Sequence, residues 1–145
     1  MVVALGGRRA AGFDSSWQPE HFEGVPTDDP ADFDWRPIQH HFGLSAFGAN
    51  VFGGEPGVEL VAEHDETDSG QEELYVVLAG EARFTVAGEE VDVPAVGVVV
   101  LRDPSVRRAA TSVAPGTLVL VVGGAPGSFA TTWRAQNFER VPVAD

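Results

Sequence analysis

The sequence predicts an all-β domain, an antiparallel sandwich or barrel behind an irregular N-terminal arm. Three observations predict it. Between Leu44 and Gly124 the chain falls into short runs rich in Val, Leu, Phe and Thr, each bounded by Gly, Pro, Asp or Ser. In the clearest run polarity alternates: Ala82, Phe84 and Val86 share one face, and Glu81, Arg83 and Thr85 share the other. No amphipathic helical segment separates the runs, so nothing in the pattern supplies the crossover helices that a parallel sheet requires.

Taken in order, residues 1–30 are rich in Gly, Pro and acids and show little periodicity, which predicts an arm that is flexible or packs through Trp17, Phe22 and Val25. The stretch "DDPADFDWRPIQHHFG" is irregular, with at most one helical turn after Asp29. Strands follow at "LSAFGANVF", "VELVAE", "ELYVVLAG", "EARFTVAG", "EVDVP", "GVVVL", "RRAATS" and "TLVLVVGG". Gly88 marks a tight hairpin between two of them. The C-terminal "TTWRAQNFERVPVAD" adds a strand or a short turn, tied to the body by Trp133 and Phe138. The barrel domain is expected over residues 31–145, without repeats or linkers.

Composition bounds the function. A chain of 145 residues, 43% of them hydrophobic, suits one domain with one core. With no cysteine, disulfides, thiolate metal sites and cysteine catalysis are excluded. The formal net charge is −13 and all nine basic residues are arginines, so the basic footprint that nucleic acids or anionic membranes require is missing. No apolar stretch approaches a membrane span. Arg8-Arg9 is followed by "DSSWQPEHFEG" rather than a long apolar region, so a cytoplasmic, unprocessed protein is expected. "VVGGAPG" lacks the lysine and following helix of a phosphate loop, and no GxSxG element is present.

The stretch "EHDETDSGQEELYVVLAGE" and the region after Gly97 resemble the cupin family, small jelly-roll barrels that often carry a metal. The first family motif, G-x5-H-x-H-x3,4-E-x6-G, is followed by Gly57 (one residue further out), by His64-Asp65-Glu66 in place of H-x-H, and by Glu73, from which Gly80 stands at the required spacing. The second, G-x5-P-x-G-x2-H-x3-N, begins at Gly97. It puts Arg108 at the histidine and Ser112 at the asparagine, with Pro104 one place late. The resemblance covers residues 44–123. It implies a cupin-like barrel with His64, Glu66, Glu73 and Arg108 gathered inside, and pairing of sheets into a homodimer. The arm and Trp35 would then be free to cover a partner.

The chemistry of those four residues leaves two readings of the metal. Relatives offer three imidazoles and a carboxylate, which suits Fe, Mn, Ni, Cu or Zn. This chain offers one imidazole, two carboxylates and a guanidinium that has no lone pair to give. In the first reading Glu73 pairs with Arg108 through bidentate hydrogen bonds where the metal would sit, and no cofactor is held tightly. In the second, Arg108 swings outward and His64, Glu66 and Glu73 hold a divalent transition metal such as Mn, Zn or Fe.

Each residue also has a plainer account. His64 acts on a ligand as a base or donor, or is a strand-end histidine bonded to a carboxylate. Glu66 lies in an acidic loop and is equally a solvated carboxylate. Glu73 heads an apolar strand and needs a partner there. Arg107 and Arg108 face opposite ways, one outside and one inside. His40 and His41 cannot share a strand face, so a joint metal site between them is not expected.

Three functions remain open on these grounds. The first is a metal-free cupin that binds a small, possibly anionic metabolite through Arg108, with polar contacts from His64 and Tyr75 and His64 as a tentative catalytic proton shuttle. The second is a metal-dependent oxygenase or isomerase using His64, Glu66 and Glu73. The third is an interaction module whose cavity is filled by side chains.

Overall fold

The computed structural model describes residues 34–129. The arm over 1–30, Trp17, Phe22, Trp133 and Phe138 therefore lie outside the described residues. Within them the chain forms β1 (Asp34–Arg36), α1 (Ile38–Phe42), β2 (Gly48–Gly54), β3 (Glu59–His64), β4 (Glu72–Ala79), β5 (Glu81–Val86), β6 (Glu89–Pro94), β7 (Val98–Leu101), β8 (Arg108–Ser112) and β9 (Thr117–Gly124). The eight runs anticipated from alternation and turn residues correspond to β2 through β9.

The strands build two antiparallel sheets, ordered β1-β2-β9-β4-β7 and β3-β8-β5-β6. All pairings are antiparallel, as the lack of crossover helices requires. The sheets face one another across a core of Leu60, Tyr75, Val77, Phe84, Ala110 and Val119. The inward residues come from alternate positions: Tyr75 and Val77 on β4, Ala82 and Phe84 on β5, Val119 and Val121 on β9. Tyr75 meets Phe84 edge to face at 5.5 Å, so the two sheets touch through aromatic rings.

Turn chemistry sets the corners. Ala87 and Gly88 both have positive φ, 50° and 84°, the pattern of a two-residue hairpin turn that carries β5 into β6. Gly80 sits at φ +69°, and a Cβ there would lie 2.5 Å from the Thr117 Oγ1, so only glycine lets β4 turn into β5 against the start of β9.

In the segment before β2 one helical turn falls at Ile38–Phe42, beginning at Pro37 and closed by Gly43 in the left-handed conformation. The Leu44 N–H bonds the Gln39 carbonyl there, and the Gln39 side chain accepts the Ala49 N–H, which ties the helix to β2. The irregular stretch also supplies β1, which pairs Trp35 with Phe52. Such a three-residue edge strand gives no periodicity to detect.

Candidate functional site

The site lies between the sheets, where β3, β4 and β8 end near the 65–71 and 102–107 loops. Glu73 is the inward residue at the start of β4, opposite Leu101 on one side and Gly123 on the other. The glycine leaves room for it: a Cβ at Gly123 would come within 2.8 Å of the Gln71 side chain and 3.5 Å of the Glu73 Cγ. Two residues on, inward again by the strand's period, the Tyr75 hydroxyl donates to the Glu73 Oε2 at 2.5 Å. Burial raises the Tyr75 pKa well above the ordinary phenol value, and the bond to the Glu73 carboxylate raises it further, while Arg108 pulls the other way. The hydroxyl therefore stays protonated and keeps its role as donor.

Arg108 begins β8 and crosses the core to the other sheet. It is 1% exposed, and its Nε lies 3.2 Å from the Glu73 Oε2, with Glu73 itself 8% exposed. The pair is a one-point contact and not the two-pronged fork anticipated for it. Nη1 reaches only the Pro104 carbonyl, at 3.5 Å, and Nε and Nη2 make no hydrogen bond. One reason is visible: the Tyr75 hydroxyl already occupies the carboxylate oxygen nearest the guanidinium. Arg107 faces outward, as adjacent strand residues must, donates to Glu63 at 3.0 Å and lies 3.6 Å from the Asp65 carboxylate on the rim.

His64 owes its inward aim to a bulge. From Val61 to His64 the chain advances three residues while β8 retreats two, from Ala110 to Arg108. The extra residue places His64 opposite Arg108 and leaves Glu63 outside. The His64 Nδ1 lies 2.7 Å from the Ala62 carbonyl, which can only accept, so Nδ1 carries the hydrogen. Nε2 then points at the Glu66 Oε1, 3.4 Å away. Glu66 is held from two sides: its N–H donates to the Pro104 carbonyl at 2.7 Å, and the Ser69 hydroxyl donates to its Oε2. Glu66 is thus held in place by hydrogen bonds to the chain.

These groups line a cavity of about 340 Å³ together with Asn50, Phe52, Leu60, Val61 and Val121. His64, Glu66, Glu73 and Tyr75 all stand on its wall. Arg108 does not: it lies buried behind Glu73 and makes no part of the wall, so the anion anchor foreseen for it is not exposed to a ligand. His64, Glu66 and Glu73 each offer one atom within 4.8 Å of the others. His40 and His41 lie on the exposed side of α1 and take no part. Asn50 escaped the sequence reading, although asparagine is depleted in strands and its place two residues before Phe52 put it on the inward face.

A second, larger groove of about 570 Å³ lies on the outer side. It is lined by Phe47, Leu74, Val100, Val122 and Phe129, with Glu72 and Arg102 at its rim.

No family model and no curated protein matches the chain. Solved structures do. A cupin protein from Bacteroides fragilis is 16% identical with a TM-score of 0.58, covering 75% of this chain and 87% of its own. KdgF from Halomonas sp. is 14% identical with a TM-score of 0.58 over 76% and 93%. A sugar phosphate isomerase from a cupin superfamily, from Silicibacter pomeroyi, is 17% identical with a TM-score of 0.58 over 77% of each. At such identities the likeness is one of fold.

Proposed function

We propose that this chain, whose fold is that of the cupins, binds a small molecule in the barrel cavity without a tightly held metal. His64, Glu66 and Tyr75 make the polar contacts, and Glu73 on the same wall is held from behind by Arg108. The observation that carries this reading is the Arg108 guanidinium, fully buried and 3.2 Å from the carboxylate that a metal would use. A divalent ion on Glu73 would sit within a few ångströms of a fixed positive charge in a low-dielectric interior, where repulsion is poorly screened. The donor set is also two imidazoles short of the one that suits a tightly bound transition metal.

The chemistry this wall supports is proton transfer. Because Nδ1 of His64 is spent on the Ala62 carbonyl, only Nε2 faces the cavity. Nε2 and the Glu66 Oε1 stand 3.4 Å apart on the cavity wall, two acceptors side by side. A ligand hydroxyl beside them can donate to either one, and a carbon acid bound there would lose its proton to Nε2, with Glu66 stabilising the resulting imidazolium. Tyr75 and Glu73 are fixed dipole and charge beside it.

A second reading, a metal-dependent enzyme, is favoured by one observation: the three donor atoms of His64, Glu66 and Glu73 lie within 4.8 Å of one another. In that case the ion would supply Lewis acidity at these residues. Elemental analysis of protein purified without chelator separates the two. Substoichiometric metal, with no tight binding of added Zn or Mn by calorimetry, supports the first reading; one tightly bound ion per chain supports the second.

The same proposal includes a homodimer. Leu74, Val76, Val98, Val100, Leu120 and Val122 share the outer face of the larger sheet, and Val98 and Val100 are more than half exposed. An apolar patch such as this is where two chains carrying −13 each can meet with least repulsion. Among the described residues no helix is long and apolar enough to cross a membrane.

A further inference from the structure

The polar groups on the cavity wall are not evenly distributed. On one side stand three groups that accept hydrogen bonds: the Glu66 and Glu73 carboxylates and the His64 Nε2. Across from them, on β2, stands Asn50, whose amide has both a donor and an acceptor end. Its orientation is decided by Trp35. The indole Nε1 lies 3.0 Å from the amide oxygen, and an indole N–H can only donate, so the oxygen must face Trp35. Trp35 can reach it because β1 pairs with β2 in a register that sets Trp35 beside Phe52, two residues along the same inward face. The Asn50 Nδ2 is left with two N–H groups and no acceptor among the described residues, and it is not sealed away from solvent.

Charge is equally one-sided. No cationic side chain lines the cavity. Arg108 is buried behind Glu73, and Arg107 is outside, engaged by Glu63 and Asp65. An anionic ligand would meet two carboxylates and no exposed partner. A cation would have carboxylates available but would leave the Asn50 N–H groups facing it. The remaining floor is apolar, made of Phe52, Leu60, Val61 and Val121, and at about 340 Å³ the cavity is at the small end of ligand sites.

We infer that Asn50 is a specificity-determining residue held by Trp35, and that the cavity takes an uncharged polyhydroxy or hydroxycarbonyl compound, accepting from the Asn50 Nδ2 and donating to Glu66 and His64. This rests on the cavity being a binding site, as proposed above, and it narrows the ligand from a possibly anionic metabolite to a neutral one. Asn50 touches the ligand; Trp35 acts through Asn50 as a positioning residue.

The test uses full-length 15N-labelled protein titrated with xylitol and xylose as neutral probes and xylonate as their anionic counterpart. Resonances of the Trp35 indole N–H, the Asn50 side-chain amide and His64 are followed. The neutral probes shift these signals, and xylonate binds at least about tenfold more weakly for want of a counter-charge. Asn50→Leu weakens xylitol about three- to tenfold, the size of one lost hydrogen bond, and narrows the gap between xylitol and xylonate. Trp35→Phe keeps the ring packing and frees the amide to rotate, giving a smaller loss in the same direction. That change in the neutral-to-anion preference is one that mere destabilisation of the fold would not produce. Xylonate binding as tightly as xylitol overturns the ligand class while leaving the binding site in place. Neutral probes that bind the parent and Asn50→Leu equally overturn the role of Asn50. If no probe at tens of millimolar moves any of these signals, the binding role of the cavity fails, and this inference with it.

Discussion

Glu73→Gln probes the pair that ties the two sheets together. The substitution keeps the shape of the side chain and an oxygen to accept the Tyr75 hydroxyl, and removes only the charge. Arg108 is then left 1% exposed with the Pro104 carbonyl as its one hydrogen-bond partner, and that contact is long, at 3.5 Å. The Arg108 Nε lies 3.2 Å from the Glu73 Oε2. With charge centres roughly 4 Å apart and an effective dielectric of about 20, the lost attraction is about 4 kcal/mol. Removal of one member of a buried pair typically costs about 3–5 kcal/mol, which agrees. For a chain of this length that corresponds to a fall in Tm of about 10–15 °C, measured by circular dichroism, with urea denaturation giving the free energy directly. Glu73→Gln combined with Arg108→Met removes the stranded charge and fills its space with an apolar side chain, and it recovers most of the loss. A midpoint for Glu73→Gln within about 1 kcal/mol of the parent, the size of an exposed pair, would refute the reasoning. So would a double variant no more stable than the single one.

Tyr75 is the only tyrosine in the chain, so tyrosinate absorbance reports on it alone. Its pKa is raised in the fold, and the unfolded chain ionises near the ordinary phenol value of 10.0. The unfolded state therefore holds fewer protons above that pH, and stability fully present below pH 10 declines as pH rises beyond it. Tyrosinate should appear only together with unfolding, and an absorbance step near pH 10 in folded protein would show that Tyr75 is not sealed in. Arg108→His replaces the repelling cation by a second imidazole and should raise affinity for Zn or Ni at least about tenfold by titration calorimetry; no gain would count against the geometry described here. Val98→Glu with Val100→Glu should convert a dimer to monomer in analytical ultracentrifugation, since two charges then face their copies across an apolar contact. A parent that sediments as a monomer sinks the proposed interface.

Much of the fold could be read directly from the chain. Alternation at Ala82, Phe84 and Val86 follows from the strand's period of two, which holds whatever packs above it. Glu73 announced itself as an acid heading an apolar strand, and the adjacency of Arg107 and Arg108 required opposite faces. The strand at Asp34–Arg36 was missed because it is too short to display a period. Asn50 was passed over because its significance depends on Trp35, which is distant in the chain and brought beside it by a short edge pairing.

The sequence by itself determined the all-β class, the strands from β2 to β9, the hairpin at Gly88 and the exclusion of thiolate chemistry. Each of these depends on residue type and local spacing alone. Tertiary structure decided what the site is. The bulge in β3 selected His64 over Glu63, β8 set the Arg108 guanidinium behind Glu73 and out of the cavity, and Ser69 and Pro104 fixed Glu66. These outcomes depend on register and on which backbone groups meet across two sheets, and such relations between distant segments leave no mark on the pattern of neighbours along the chain.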